Sequence, residues 1–111
     1  MKLKEIIEKL ELSTLSGQQK LDTDVTGGYT SDLLSDVIAN SKEGNLWITL
    51  QTHQNTIAVA KLKDLAGIIL VNNREPDEDT LKKAMEEDVP LLSSADMAFE
   101  ASGKLYDLIS S

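Results

Sequence analysis

The residues of this chain with chemistry to offer fall in four short polar stretches. The first is Thr26-Gly27-Gly28, within DVTGGYTSD at 24–32. Paired glycines after a strand allow positive φ and close backbone approach, and a following helix offers unpaired N–H groups, which together suit a phosphate or carboxylate. The same residues also make a tight turn with a Thr or Ser cap, so two readings stand. The second stretch is QTHQN at 51–55, where His53, the only histidine, is flanked by Thr52, Gln54 and Asn55. A neutral imidazole there can donate to a ligand or move a proton near neutral pH, and beside a helix start it can equally serve as a cap. The third is NNREPD at 72–77, with Asn72 and the only arginine, Arg74. Its guanidinium either forks onto a ligand anion or pairs with Glu75, Asp77 or Glu78. In the fourth, SSAD at 93–96, Ser93 supplies a hydroxyl.

These residues form the candidate ligand-binding set: Thr26, Gly27, Gly28, Thr52, His53, Gln54, Asn55, Asn72, Arg74 and Ser93. No catalytic residue is assigned, because nothing in the sequence identifies a group that would orient His53. A small metal-free enzyme using His53 is the least favoured of the functional readings. The glycines lack the G-x-G-x-x-G spacing of a dinucleotide fingerprint, and no G-x-x-x-x-G-K-[ST] occurs, which excludes P-loop phosphoryl transfer. The absence of cysteine excludes disulfides, thiolate metal sites, iron–sulfur ligation and a cysteine nucleophile. One histidine makes no histidine-rich metal site. Neither a metal nor a cofactor is expected.

Charge narrows the partners. The net charge is −8 and uneven. Residues 1–65 carry seven basic and nine acidic side chains (net −2), whereas 66–111 carry four and ten (net −6). Phosphate backbones would be repelled, and no basic stripe with interleaved aromatics exists, so no nucleic acid partner is expected. The acidic run EPDEDTLKKAMEED reads as a solvated helix with acids in its first turn, where the helix dipole favours them. The longest apolar stretch, LAGIILV at 65–71, is seven residues, against roughly 18 for a membrane span. The start, MKLKEIIEKL, lacks the apolar region of a signal peptide. A cytoplasmic location without membrane contact is expected.

The elements that must position these loops follow from periodicity. Leu3, Ile6, Ile7 and Leu10 predict an amphipathic helix over 2–11. LSTL at 12–15 offers a short strand, and KLDTDV at 20–25 alternates as a strand that would deliver the chain to the glycine pair. SDLLSDVIAN predicts a helix capped by Thr30 or Ser31, with Leu33, Leu34, Val37 and Ile38 on one face. LWITL at 46–50 then reads as a strand, TIAVAKLKDL as a helix, and GIILV at 67–71 as a parallel strand covered on both sides. A third helix places Leu81, Ala84 and Met85 inward. VPLL at 89–92 is a short strand whose Pro90 suits its start or an edge. The last helix carries a stripe of Ala95, Ala98, Phe99, Ser102, Leu105, Tyr106 and Ile109, with Ser93 and Asp96 as a capping box. Trp47 and Tyr29 read as core or interface.

Strand–helix alternation with short connections is the mark of right-handed βαβ units. The expectation is one α/β domain over 1–111: three layers, a mostly parallel sheet of four to five strands, and helices on both faces. In such sheets ligands collect beyond the carboxyl ends of the strands. All four polar stretches are therefore expected on one rim.

The stretches DVTGGYTSDLLSDV, WITLQTHQNTIAVA, LAGIILVNNREPDEDTL and VPLLSSADMAFEASGKLYDL resemble the DRTGG family across nearly all of 20–109. The naming string aligns with Asp24, Val25, Thr26, Gly27 and Gly28, with Val25 where that string has arginine. That departure speaks against a cationic phosphate contact supplied by this turn. The resemblance implies a stand-alone DRTGG domain folded like the amino-terminal domain of HPr kinase. It further implies a module that elsewhere accompanies CBS-domain pairs and phosphotransacetylase-type enzymes. The missing P-loop separates this chain from HPr kinase activity, and the resemblance carries over no catalytic residue. The function expected is a non-catalytic regulatory module sensing a nucleotide or small anionic metabolite, and a homodimer is expected. The alternative is an interaction module, a homodimer or accessory subunit docking through an exposed helix face without a small ligand.

Overall fold

Strands that are apolar on both faces need cover on both faces, and the two runs of that kind, NLWIT and GIIL, lie inside the sheet. The computed structural model describes residues 1–111. In chain order the elements are α1 (Leu3–Lys9), β1 (Ser13–Ser16), a 3₁₀ turn (Gln18–Lys20), β2 (Gly27–Thr30), α2 (Leu34–Asn40), β3 (Asn45–Thr49), α3 (Asn55–Leu62), β4 (Gly67–Leu70), α4 (Glu78–Glu86), β5 (Leu91–Ser93) and α5 (Ala98–Ser110). The sheet order is β1-β5-β4-β3-β2. Strands β2 to β5 are parallel, and β1 pairs antiparallel with β5. The α/β architecture is the expected one.

Side chains alternate across the sheet. Leu46, Ile48, Ile69 and Leu92 point to one face, where Leu3 and Ile6 of α1 and Ala101 and Leu105 of α5 cover them. Trp47, Ile68, Leu70 and Leu91 point to the other, against Val37 of α2, Ile57 and Ala60 of α3 and Ala84 of α4. Each fully buried Leu or Ile stabilises by about 1.5–3 kcal/mol relative to exposure. Trp47 is fully buried, and its Nε1 donates to the Ser31 carbonyl at 2.7 Å, satisfying the one polar group of the indole. Because β2 to β5 are laid down in spatial order, right-handed crossovers put α2, α3 and α4 on one face. Only α5, leaving β5, crosses to the other.

Several local expectations are corrected. KLDTDV is not a strand: its N–H and C=O groups pair with the amino terminus instead. Leu3 N donates to Thr23 O, Lys4 N to Leu21 O and Val25 N to Met1 O. The strand begins later, at Gly27, so the glycine pair lies within β2 and both glycines have ordinary extended backbone. Helix α2 starts at Leu34, because the Ser31 hydroxyl accepts from Leu33 N and holds a turn outside the helix. Leu33 and Ile38 consequently face solvent, and only Val37 of the expected stripe is fully buried. Met85 is also exposed. In α5 the inward face is rotated: Ala101 and Leu105 are buried, whereas Phe99 and Tyr106 are exposed. The expected Ser93–Asp96 capping box is absent; Ser93 ends β5 and the Ser94 hydroxyl accepts from Asp96 N. No helix is long and apolar enough to cross a membrane.

Candidate functional site

The carboxyl-end loops do meet along one rim, but they spend their polar groups on one another. After β2, one carboxylate oxygen of Asp32 accepts from Thr49 Oγ1 at 2.9 Å and from Leu50 N at 2.8 Å. Gln51 Nε2 donates to the Asp32 carbonyl at 2.9 Å. The Thr52 carbonyl accepts from Thr80 Oγ1 and Asp77 N. Asn72 and Asn73, both left-handed (φ 59 and 52), turn their amides onto the Asp96 and Ser94 carbonyls at 2.7 and 2.9 Å. The β4–β5 junction is where connections diverge to opposite faces and an open crevice belongs. Here those two hydrogen bonds span it.

The rim candidates behave accordingly. His53 Nδ1 accepts from Asn55 N at 3.2 Å, and its carbonyl accepts from Thr56 N and Oγ1, so the residue holds the turn into α3. Gln54 and Asn55 are exposed at that helix start, and Ser93 is half-buried at the end of β5. Arg74 is exposed and takes part in none of the ion pairs, which are Lys2–Asp24, Lys4–Asp22, Lys83–Glu87 and Lys104–Asp96. The expected pairing with Glu75, Asp77 or Glu78 is thus not formed.

Thr26, Gly27 and Gly28 do not join this rim, which corrects their assignment to a strand-to-helix loop. They occupy the amino end of β2. Thr26 Oγ1 donates to the Glu43 carbonyl at 2.8 Å and accepts from Asn45 Nδ2 at 3.2 Å. Gly44, at φ +82 in the left-handed region, makes room for Thr26; a Cβ there would stand 2.7 Å from its methyl. Gly28 serves packing of a different kind. A Cβ on Gly28 would approach Leu105 Cδ2 to 2.7 Å, so the glycine lets α5 lie close to the edge strand.

That close approach leaves a cleft of about 470 Å³ between β2 and α5. Its walls are the two glycines, the hydroxyls of Thr26, Thr30, Ser102 and Ser110, and the apolar Ile48, Leu105, Tyr106 and Ile109. Thr30 Oγ1 and Ser102 Oγ are 2.7 Å apart and tie the two walls together. No charged side chain lines the cleft. It can hold a flat, hydrogen-bonding ring, and it provides no counter-charge for an anion. Of the ten candidate ligand residues, only Thr26, Gly27 and Gly28 border it. Thr30, Ser102, Tyr106 and Ser110 also line it, although helical periodicity alone reads Ser102 and Tyr106 as inward positions of α5. The available signal was the glycine pair itself, because glycine inside a strand marks close approach of another element. On the opposite face of β2, Tyr29 OH donates to Asp36 Oδ1 at 2.8 Å. This bond, with further ones from Ser31 and Asn40, holds the Asp36 carboxyl below the usual range. The same bond to Asp36, then burial, pushes the Tyr29 phenol up.

No protein-family model matches the chain, and no curated protein matches it. Among solved structures it is similar to the CBS and DRTGG domains of the regulatory region of Clostridium perfringens pyrophosphatase, complexed with the activator diadenosine tetraphosphate. The TM-score is 0.75 at 12% identity, over 94% of this chain and 45% of that one. The chain therefore spans less than half the length of that neighbour. At this identity the likeness speaks for the fold, and the fold is DRTGG-like.

Proposed function

We propose that residues 1–111 form one regulatory domain of the DRTGG type that senses a small ligand without transforming it, and that the β2–α5 cleft is where the ligand sits. The observation that carries this reading is the cleft itself. Its volume falls within the range of about 300–1,000 Å³ usual for small-molecule sites, and it combines apolar walls with a few convergent hydroxyls. The ligand class follows from the lining. Ser110 can donate and accept, and the Thr30–Ser102 pair keeps one spare proton and its remaining lone pairs, as the edge of a nucleobase or a ribose requires, whereas the Thr26 hydroxyl already donates to the Glu43 carbonyl. The exposed Tyr106 ring offers a stacking face. A nucleoside moiety is read in the cleft, and any phosphates it carries project to solvent. The neighbour's complex with a dinucleotide activator supports a nucleotide-responsive role.

Titration calorimetry of the folded protein against adenosine, AMP, ATP, diadenosine tetraphosphate and acetyl phosphate tests this. The adenosine-bearing compounds bind with similar affinity and acetyl phosphate does not. Thr30→Val and Ser102→Ala each weaken binding at least about fivefold, the loss of one hydrogen bond of roughly 1 kcal/mol. Silence across the panel rules the reading out. Binding that survives both variants but is lost in Arg74→Ala moves the site to the rim. The alternative, an interaction module without a small ligand, draws its support from the exposed aromatic face of α5.

A further inference from the structure

β2 is the last strand of the sheet, so only one of its two edges is paired. Its register with β3 is continuous from Gly27 to Thr30, and Ser31 N donates to Ile48 O at 3.2 Å. Main-chain groups of successive residues point to opposite edges of a strand, so Gly27, Tyr29 and Ser31 face β3. Gly28 and Thr30 turn their N–H and C=O groups the other way. Both residues are exposed, and no hydrogen bond outside the strand ladder takes those groups up. The edge GGYT has no proline, lysine or bulge to blunt it. Both residues also border the β2–α5 cleft. At Gly28 no side chain stands between the cleft and the strand edge, so a planar ring can come close to the main chain there.

The Gly28 carbonyl and the Thr30 amide are therefore an acceptor and a donor, two residues apart on one open side. A parallel neighbouring strand fills such a gap with the N–H and C=O of a single residue. A base that carries a donor beside an acceptor fills it equally. Adenine has that order in its 6-amino group and N1, and cytosine in its 4-amino group and N3. Hypoxanthine and uracil carry the reverse, a carbonyl beside an N–H, which sets like groups against like on this edge. We infer that the cleft selects an amino-bearing base, adenine above all, through the main chain of β2. The Gly28 carbonyl accepts from the exocyclic amino group, and the Thr30 N–H donates to the adjacent ring nitrogen. This rests on the nucleoside reading of the cleft and adds the identity of the base. Selection by main-chain groups suits a cleft that no charged side chain lines. Adenine leads cytosine because its two rings cover more of Tyr106, which lines the same cleft and is 76% exposed.

Calorimetry on the full chain with matched nucleosides tests the choice of base. Adenosine binds at least about tenfold more tightly than inosine, and cytidine than uridine, because the reversed edge leaves both main-chain groups unpaired. Thr30→Val keeps the amide; it weakens adenosine and inosine together and leaves their ratio unchanged. Thr30→Pro removes the N–H at a strand edge that tolerates proline, and the ratio falls to within about threefold. A second measurement needs no variant: in the wild-type chain, amide exchange followed by NMR slows at Thr30 when adenosine is added. Equal affinities for adenosine and inosine overturn the inference and leave the nucleoside site standing. So does a preference for adenosine under which exchange at Thr30 is unmoved. Binding of no nucleoside at all removes the site, and the inference with it.

Discussion

The loops at the carboxyl ends of the strands and the seam between β2 and α5 are both rich in hydroxyls and both bond some of them across the gap, yet only the seam keeps a hollow beside those bonds. On the rim, Asp32, Gln51, Thr52, Asn72 and Thr80 bond to neighbouring loops and fix how the crossovers sit on the sheet. Along the seam, two glycines and small hydroxyl residues hold helix and strand together while leaving volume between them. Polar composition alone does not distinguish stitching from a pocket. What distinguishes them is whether space remains beside the bonded groups, as it does next to Thr30 and Ser102 where Gly27 and Gly28 carry no side chain.

The sharpest way to break this contrast is Gly28→Val. Its Cβ must displace Leu105, and its branches fill the cleft, so the variant loses about 1–3 kcal/mol in urea unfolding together with nucleoside binding. Next is Asp32→Ala, which strands the hydroxyl of the buried Thr49 and the Leu50 amide. It costs about 1–2 kcal/mol by thermal denaturation while ligand affinity at the seam is unchanged. A loss of affinity there would mean the two regions are coupled. The smallest effect is a pH dependence from Tyr29 and Asp36. The Asp36 carboxyl is lowered, so its contribution is present above the ordinary Asp value near 4 and is lost as pH falls through the folded value. The Tyr29 phenol is raised, so its contribution is present below about 10 and is lost as pH rises through the folded value. Melting temperatures across the acid and alkaline limbs show both losses in the wild type, and Tyr29→Phe flattens them without affecting the cleft.

The fold was legible because its central strands leave little choice. LWIT and GIIL have no polar face, and each is followed by a polar turn and a helical period, which specifies covered parallel strands. The start of β2 was not legible, because Leu21, Thr23 and Val25 alternate as a strand would. Their partner is the residues around Met1 and Leu3, a pairing that no local pattern announces. The rotation of α5 misled for a related reason. Phe99 and Tyr106 are its largest apolar residues and sit at helical spacing, yet the narrow space over Gly28 and Leu46 admits Ala101 and Leu105 instead. Of the ten candidate ligand residues, three border the cleft, because the carboxyl-end rule was applied to a glycine pair lying at the opposite end of its strand.

The β2–α5 seam also bears on the order in which the chain assembles. Pairings among β2, β3, β4 and β5 join successive strands, whereas Thr30 and Ser102 are 72 positions apart and Ser16 reaches Val89 across 73. Closing such spans costs more chain entropy than forming neighbouring βαβ units, so they are made late and released early. The hollow beneath α5 then exists only in the fully closed chain. A molecule held there selects against the opened form, and slowed hydrogen exchange in α5 would register its arrival.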